Sequence, residues 1–247
     1  MAKRISRKTG KSRSTRRPTA QGGRSRVLAG LALVLMVGGV WGWWHLHHWT
    51  PDRARFPVQG VEVGADDGEL DWPAVKAVGV DFVYVDASAG AFTRDPAMVA
   101  NLDGARGVGL QVGALHTYDP CQPADRQSAN FVTVVPRDRR MLPPAVELVR
   151  LGDDCPVKVL DAAVISELIA FINQIEAHAG KAVLLKVGPA FEARYHIARA
   201  LPERNLWLTR DRFEPDYAGR PWTIWTANAA LSTKATDRHL RWLVVQP

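Results

Sequence analysis

The sequence lacks the residues on which several common kinds of site depend. It has 2 cysteines among 247 residues, which excludes a four-cysteine zinc site and a disulfide-dense scaffold. It also has no glycine-rich nucleotide-binding loop, no nucleophile elbow of a Ser/His/Asp hydrolase and no zinc signature. Enzyme classes built on those motifs therefore have little support, and we expect no cofactor and no metal.

Acidic residues are absent from residues 1–26, which carry ten lysines and arginines. Because the whole chain has a formal charge of +7, the remainder carries about −3. The high isoelectric point of the chain therefore comes from this N-terminal tail and says little about the rest of the protein. Such a tail can bind nucleic acid, but here it adjoins an apolar run. Membrane topology explains it better, and no nucleic-acid partner is expected.

An uncharged run, VLAGLALVLMVGGVWGWW, extends from Val27 to Trp44. At 1.5 Å per residue it spans about 27 Å, close to the hydrocarbon thickness of a bilayer. Three of its tryptophans lie at the far end, where the membrane interface favours them, and the positive-inside rule places the basic side in the cytoplasm. A cleaved signal peptide is the alternative, but the basic region is long and the run ends in bulky residues.

We therefore predict a single-pass inner-membrane protein with four parts. These are a basic cytoplasmic tail (1–26), a transmembrane anchor (27–44), a linker (45–56) and a periplasmic domain (57–247). Cys121 and Cys155 lie in the exported part, where an even pair of cysteines favours a disulfide. His45, His47 and His48 are interpreted as a polar collar at the membrane interface rather than as a metal site.

Short β-branched runs alternate with helical patterns along the domain. Predicted strands cover 58–64, 81–86, 110–116, 145–149, 182–187, 205–208, 222–225 and 240–245. This alternation predicts parallel βαβ units. About eight strands indicate an α/β fold with a TIM-like (β/α)-barrel, imperfect in its helix-poor last third. Functional residues of such barrels lie at the carboxyl ends of the strands, and the side chains expected there are those of Glu62, Asp86, His116, Tyr118, Glu147 and Trp225.

Four ordered blocks resemble glycoside hydrolase family 25, the muramidases. Residues 60–90 resemble the family's opening Gly-Ile-Asp-Val-Ser strand, its Ile-Asp-Trp helix start and its Lys-Ala-Thr-Glu-Gly strand end. Residues 109–116 are similar to its Gly-Leu-x-x-Gly-Ala-Tyr-His strand, and residues 142–149 stand at its Asp-x-Glu strand. Residues 220–225 resemble its late Pro-Trp-x-x-Trp-Gln strand. The resemblance implies a barrel that cleaves the β-1,4 bond between N-acetylmuramic acid and N-acetylglucosamine in peptidoglycan.

The acidic positions that the resemblance implies are only partly kept. Glu62 stands at the family's first-strand aspartate and Glu147 at the first acid of Asp-x-Glu, so both are predicted as catalytic. Val149 stands at the second acid, the expected proton donor, and valine cannot donate a proton. Asp86 replaces a lysine, and Arg241 stands where an aspartate is expected.

Three further carboxylates, those of Asp119, Asp153 and Asp154, could supply a relocated acid, although each is also explained as a turn residue. Glu62 and Glu147 lie in apolar strands, where an unpaired charge is costly. They therefore need a site role or a charge partner, for which Arg241 and Lys186 are the candidates.

Asp86, His116, Tyr118 and Trp225 are predicted to bind substrate, Tyr118 and Trp225 by stacking on sugar rings. The two aromatic residues are as readily explained as packing inside the barrel. Two functions follow: a membrane-anchored muramidase-like hydrolase, or a non-catalytic module that binds peptidoglycan or a partner. A purely structural domain would show no cleft.

Overall fold

A computed structural model describes residues 21–247, with side-chain surroundings from residue 27 onward. The predicted basic tail lies mostly outside the described residues, so its placement stays a prediction. The chain separates into two units, one ending at Leu46 and the other extending from His47 to Pro247.

The first unit contains one long helix, α1 (Gln21–His47). By length and composition, its part from Val27 to His47 is apolar enough to cross a membrane. The predicted anchor ends at Trp44, whereas the helix continues to His47. The large apolar side chains of this helix from Val27 to Leu46 are exposed.

The second unit is a closed barrel of eight strands with one short additional strand, all within the described residues. In chain order the strands are β1 (Gln59–Val63), β2 (Phe82–Ala89), β3 (Thr93–Arg94), β4 (Gln111–Thr117), β5 (Ala145–Leu148), β6 (Leu184–Val187), β7 (Asn205–Thr209), β8 (Ile224–Ser232) and β9 (His239–Val245). The sheet closes because β1 pairs with both β9 and β2, and β3 extends β2 as a hairpin. The predicted barrel is confirmed, while β3 was not predicted.

The last strand breaks the parallel arrangement that the sequence predicts. β9 pairs antiparallel with β8 and with β1. The prediction ended β8 at Trp225, but the strand continues to Ser232 and leaves only residues 233–238 as the connection. So short a connection permits a hairpin and not a helical crossover. The imperfection predicted for the last third of the barrel is this antiparallel hairpin.

Helices cover the outside of the barrel. They are α2 (Trp72–Ala77), α3 (Met98–Gly107), α4 (Ala124–Val134), α5 (Asp161–Ala179), α6 (Pro189–Tyr195) and α7 (Ile197–Ala200). Asp71 caps α2 by accepting a hydrogen bond from Ala74 N at 3.1 Å. α5 ends at Gly180 in the left-handed conformation, φ 68°. His196, which has a φ of 51°, separates α6 from α7.

Strand alternation sorts the side chains into an inner and an outer core. The inner core fills the lumen and consists of Phe82, Tyr84, Leu115, Ala145, Leu184, Trp207, Ile224 and Leu243. The intervening residues form the larger core between sheet and helices. Gly60 and Gly113 leave room in the lumen, since a Cβ at either would overlap the ring of Phe82 or Tyr84. The lumen is thus packed with side chains, as in other barrels of this kind.

Part of the predicted linker belongs to the barrel unit. Phe56 is buried, with its ring centroid 5.9 Å from that of Trp225 and 6.2 Å from that of Trp222. The carbonyl of Trp49 accepts a hydrogen bond of 2.8 Å from Asn228 Nδ2. The chain is therefore fixed to the barrel soon after α1 ends.

Candidate active site

A polar layer lies inside the barrel, next to the apolar residues of the lumen and toward the carboxyl ends of the strands. Glu147 follows Ala145 by two residues and Lys186 follows Leu184 by two, so strand alternation directs both into the lumen. Glu147 and Lys186 are neighbours in register, and so are Glu62 and Arg241. The layer lies at the end of the barrel where such folds place their function.

Lys186 bridges the two glutamates predicted as catalytic. Its Nζ lies 2.7 Å from Glu62 Oε1 and 2.7 Å from Glu147 Oε1. The ammonium also stands 5.0 Å from the centroid of the Trp207 ring, within cation–π range. Burial alone would lower the pKa of Lys186, but the two carboxylates raise it above its ordinary value. Lys186 therefore stays charged and holds the glutamates together.

Arg241 contacts three carboxylates in the same layer. Its Nε lies 3.3 Å from Glu62 Oε1, and its Nη2 lies 2.9 Å from Asp67 Oδ2 and 3.0 Å from Asp86 Oδ2. Burial opposes the charge of Arg241, yet these carboxylates raise its pKa above the ordinary value. Glu62 is only 1% exposed, and the predicted need for a cationic partner is met by both Lys186 and Arg241.

Asp86 is the carboxyl group with the most unusual surroundings. Oδ2 accepts a hydrogen bond from Arg241, whereas Oδ1 is buried and has no hydrogen-bond partner among the described residues. Gly64 makes room for this carboxyl, since a Cβ there would overlap Oδ2. Burial, reinforced by the negative charge of Glu62, raises the pKa of Asp86 to about 7. Near neutral pH this group therefore carries a proton for part of the time.

The pKa of Glu147 is shifted in the opposite direction, downward. Burial would raise its pKa, but the charge of Lys186 and hydrogen bonds from Lys186 and Thr117 lower it below the ordinary value. Thr117 Oγ1 donates to Glu147 Oε2 at 2.9 Å, and the glutamate side chain is 21% exposed. A partly protonated Asp86 and an ionised Glu147 are thus directed into one lumen. Two carboxyl groups with divergent pKa values are what glycoside hydrolysis requires.

Three residues predicted to bind substrate lie elsewhere. His116, Tyr118 and Trp225 are almost fully buried and form part of, or contact, the outer core. Strand alternation explains this, because each is adjacent to an inward-facing position and so points outward. Trp225 Nε1 donates to the carbonyl of Arg210 at 2.7 Å, and the Tyr118 ring lies 5.6 Å from Phe171. In this structure none of the three can reach a ligand in the lumen.

The surroundings of His116 predict a pH-dependent stability. Nδ1 is 2.8 Å from Ser88 Oγ, Nε2 is 3.4 Å from Gln127 Oε1, and burial lowers the pKa of the ring to about 4. Between pH 6.5 and 4 the unfolded chain binds a proton there that the folded chain does not. We expect this group to lower the free energy of unfolding by about 2–3 kcal/mol as pH falls to about 4.5.

Urea unfolding at pH 7.5 and 4.5 measures this contribution, with His116→Gln as the variant. The wild type should lose more stability on acidification than the variant does. The exposed His239→Gln should behave as the wild type. Equal acid sensitivity of His116→Gln and the wild type would contradict the assignment.

The other carboxylates considered as relocated acids are engaged in loop structure. Asp119 accepts hydrogen bonds from Cys121 N and Arg150 Nη1, each at 3.0 Å. Asp153 pairs with Lys158 at 2.8 Å, and Asp154 accepts from Leu151 N at 3.0 Å. Each therefore fits the turn interpretation.

The predicted disulfide is formed between Cys121 and Cys155. It joins the loop after β4 to the loop after β5. Val149 directly follows β5 and is 48% exposed. The position expected to hold the acid is therefore accessible but has no acidic group. The rim of the barrel is therefore tied together on the side where Glu147 lies.

Sequence reasoning missed Asp67 and the double role of Lys186. Asp67 lies in a short 3-10 turn directly after β1, where Oδ2 accepts from Gly64 N at 2.6 Å. Burial raises its pKa, against the opposing charge of Arg241. The Ala-Asp-Asp segment that contains Asp67 has no hydrophobic periodicity that would predict a buried side chain. For Lys186 the signal was available, since a lysine within Leu-Leu-Lys-Val on a central strand requires a partner.

The chain is similar to known proteins along most of the barrel. Residues 61–232 match the family model described as "Glycosyl hydrolases family 25". Lysozyme M1 of Streptomyces globisporus is 30% identical over 95 residues, which are 37% of this chain and 32% of that protein. The uncharacterized protein YegX of Escherichia coli K12 is 23% identical over 180 residues, 70% of this chain and 63% of that protein. The chain thus spans from a third to just under two thirds of these relatives.

Solved structures show the same fold. A family 25 glycosyl hydrolase from Bacillus anthracis superposes with a TM-score of 0.74 at 25% identity, covering 82% of this chain and 94% of that one. A bacterial lysozyme from Streptomyces coelicolor gives a TM-score of 0.67 at 19% identity, covering 77% and 92%. The second likeness concerns the fold alone.

Proposed function

The chain belongs to glycosyl hydrolase family 25, and on this premise we propose that it is a muramidase-like glycoside hydrolase that acts on peptidoglycan from a membrane anchor. The anchor is the apolar helix segment Val27–His47. The basic tail lies in the cytoplasm, and the barrel faces the periplasm. Such an arrangement confines the enzyme to cell wall within reach of its membrane.

Two observations support export of the barrel. Residues 1–26 carry ten basic and no acidic residues, which the positive-inside rule assigns to the cytoplasmic side of the apolar helix. The disulfide between Cys121 and Cys155 is of a kind that persists in oxidising compartments such as the periplasm.

The observation that carries the proposed chemistry is the cluster of inward-facing carboxyl groups at the carboxyl end of a family 25 barrel. Glu147 is ionised and partly exposed, so it can support the positive charge that develops on the sugar ring. Glu62 lies behind it, joined through Lys186. We assign Glu147 to the reaction and Glu62 to holding Lys186 and Arg241 in place.

The test uses the full chain in detergent with purified peptidoglycan, and it measures new reducing ends together with co-sedimentation. Glu147→Gln keeps the size of the side chain and removes its charge. We expect reducing-end release to fall by about 10²-fold or more, with co-sedimentation retained. Glu203→Gln, which changes an exposed glutamate paired with Arg204, is the matched control and should match the wild type. Equal release by Glu147→Gln and the wild type would refute the role of Glu147.

A non-catalytic glycan-binding domain is the second candidate. It is favoured by Val149 at the expected acid position and by Lys186, which neutralises charge between the two glutamates. This function predicts co-sedimentation of the wild type with peptidoglycan and no new reducing ends at any pH. The same assay therefore separates the two candidates.

A further inference from the structure

The proposed hydrolysis lacks a proton donor at the expected place. Val149 cannot donate, and the carboxylates of Asp119, Asp153 and Asp154 are held by ion pairs or backbone N–H groups in the loops. Glu147 is held ionised by Lys186. A donor for this barrel must therefore be found inside the lumen.

Asp86 is placed to fill this role. It lies in the second half of β2, two residues after the inward-facing Tyr84, so it points into the lumen. β2 and β5 are separated by one strand, β4, which sets their backbones about 10 Å apart. From that spacing two inward carboxyl groups can flank a sugar ring. Glu147 on β5 is thus the facing carboxylate.

The oxygen atoms of Asp86 differ in their contacts. Arg241 donates to Oδ2 at 3.0 Å, while Oδ1 has no partner among the described residues. A proton on this carboxyl therefore resides on Oδ1. Oδ1 is buried in this structure, but the side chain as a whole is 26% exposed, and rotation about the soft terminal torsion of an aspartate can turn the proton toward the exposed side.

We propose that Asp86 is the proton donor of this barrel, in place of the acid that is missing at position 149. The proposal rests on the proposed function and specifies which group protonates the glycosidic oxygen. Arg241 is then a positioning residue, which holds the second oxygen of Asp86.

The reaction balances with Asp86, Glu147 and one water molecule. As the bond between C1 and the glycosidic oxygen breaks, the proton of Asp86 moves to that oxygen, which leaves as a sugar hydroxyl. The ionised Glu147 stabilises the positive charge on C1. Water then bonds to C1 and gives a proton to the Asp86 carboxylate, which restores the starting state.

The charges around Asp86 make it an acid near neutral pH. Glu62 on β1 and Glu147 on β5 favour its protonated form, whereas Arg241 on β9 and Lys186 on β6 oppose it. Asp67, in the turn after β1, shares Arg241 with it. Burial is the largest influence, and together these effects raise the pKa of Asp86 to about 7.

The experiment measures the rate of reducing-end release from purified peptidoglycan by the full chain between pH 4 and 8.5. Wild-type release should fall about tenfold per pH unit above about pH 7, because the reaction needs protonated Asp86. Asp86→Asn should lower release by about 10²–10⁴-fold and remove this fall from the residual rate. Its co-sedimentation with peptidoglycan should persist, as should its far-ultraviolet circular dichroism. Asp153→Asn, at the exposed rim, should keep wild-type release.

Four results would overturn the proposal. Release by Asp86→Asn at the wild-type rate is one, and an unchanged alkaline fall in that variant is another. A wild type that co-sediments without cleaving at any pH would refute the donor and leave the glycan-binding function standing. A wild type that neither binds nor cleaves would refute the peptidoglycan substrate as well.

Discussion

Replacing Lys186 with methionine is expected to lower the free energy of unfolding by about 3–5 kcal/mol, the usual cost of leaving buried charge without its partner. Lys186 is the group that bridges Glu62 and Glu147, at 2.7 Å from each. Methionine keeps an unbranched apolar stem of similar length and lacks the ammonium group that bridges the glutamates and lies over the Trp207 ring. The loss would therefore report mainly the missing charge. Urea unfolding at pH 7 measures it.

Two further variants isolate the cause. Lys158→Met removes a surface lysine that pairs with Asp153, and exposed pairs contribute little, so its stability should stay close to that of the wild type. Adding Glu62→Gln to Lys186→Met removes one of the stranded carboxylates and should recover part of the loss. A Lys186→Met protein as stable as Lys158→Met would contradict the ion-pair account of the lumen.

Introducing Val149→Glu into the Asp86→Asn protein should restore reducing-end release by about 10²-fold or more. General acid catalysis is typically worth about 10²–10⁴-fold, and position 149 is accessible at the end of β5. A glutamate there would supply the proton that asparagine at position 86 cannot. The rate is measured with purified peptidoglycan at pH 5, where a glutamate at position 149 would be partly protonated.

Val157→Glu in the same background is the matched control, since Val157 is also exposed but lies in the loop after Cys155. It should give no recovery. Equal recovery from both changes would point to a general effect of added negative charge. No recovery from Val149→Glu would contradict the placement of the leaving oxygen beside the end of β5.

The ion pair between Asp86 and Arg241 explains together the two positions at which this chain differs in charge from the family pattern. The resemblance expects a lysine at position 86 and an aspartate at position 241, and this chain has the opposite charge at both. The structure places the two side chains 3.0 Å apart. Taken one at a time, Asp86 and Arg241 each suggest that a site residue of the family has been lost. Together they form an ion pair whose carboxyl group lies on β2, where it meets the negative charge of Glu62.

Much of the fold could be predicted because its signals are local. β-branched runs, Asp71 as a helix cap and Gly180 as a helix end each predict an element from a few neighbouring residues. The strand over 240–245 was predicted, but the antiparallel direction of β9 was not, because β8 was ended at Trp225, which left apparent room for a helical crossover. The seven residues that continue β8 include polar and small side chains, which hid the strand.

The rule that barrel function lies at the carboxyl ends of the strands predicted the acidic residues of the site, but it does not say which side chains point inward. Glu62, Asp86 and Glu147 were expected at the barrel mouth, and the structure brings them into one layer. His116 and Tyr118 flank Thr117, whose hydroxyl reaches Glu147, so alternation alone would have directed both outward. Contacts between distant strands depend on barrel closure, so the sequence named Lys186 as a candidate partner without showing that it bridges both Glu62 and Glu147.

The most direct test of the account identifies the sugar at each new reducing end. The full chain is incubated with purified peptidoglycan, the products are reduced with borohydride, and the reduced sugars are separated and assigned by mass. We expect reduced N-acetylmuramic acid in the products of the wild type and a loss of this product in Glu147→Gln and Asp86→Asn. Reduced N-acetylglucosamine, or no new reducing ends at all, would contradict it.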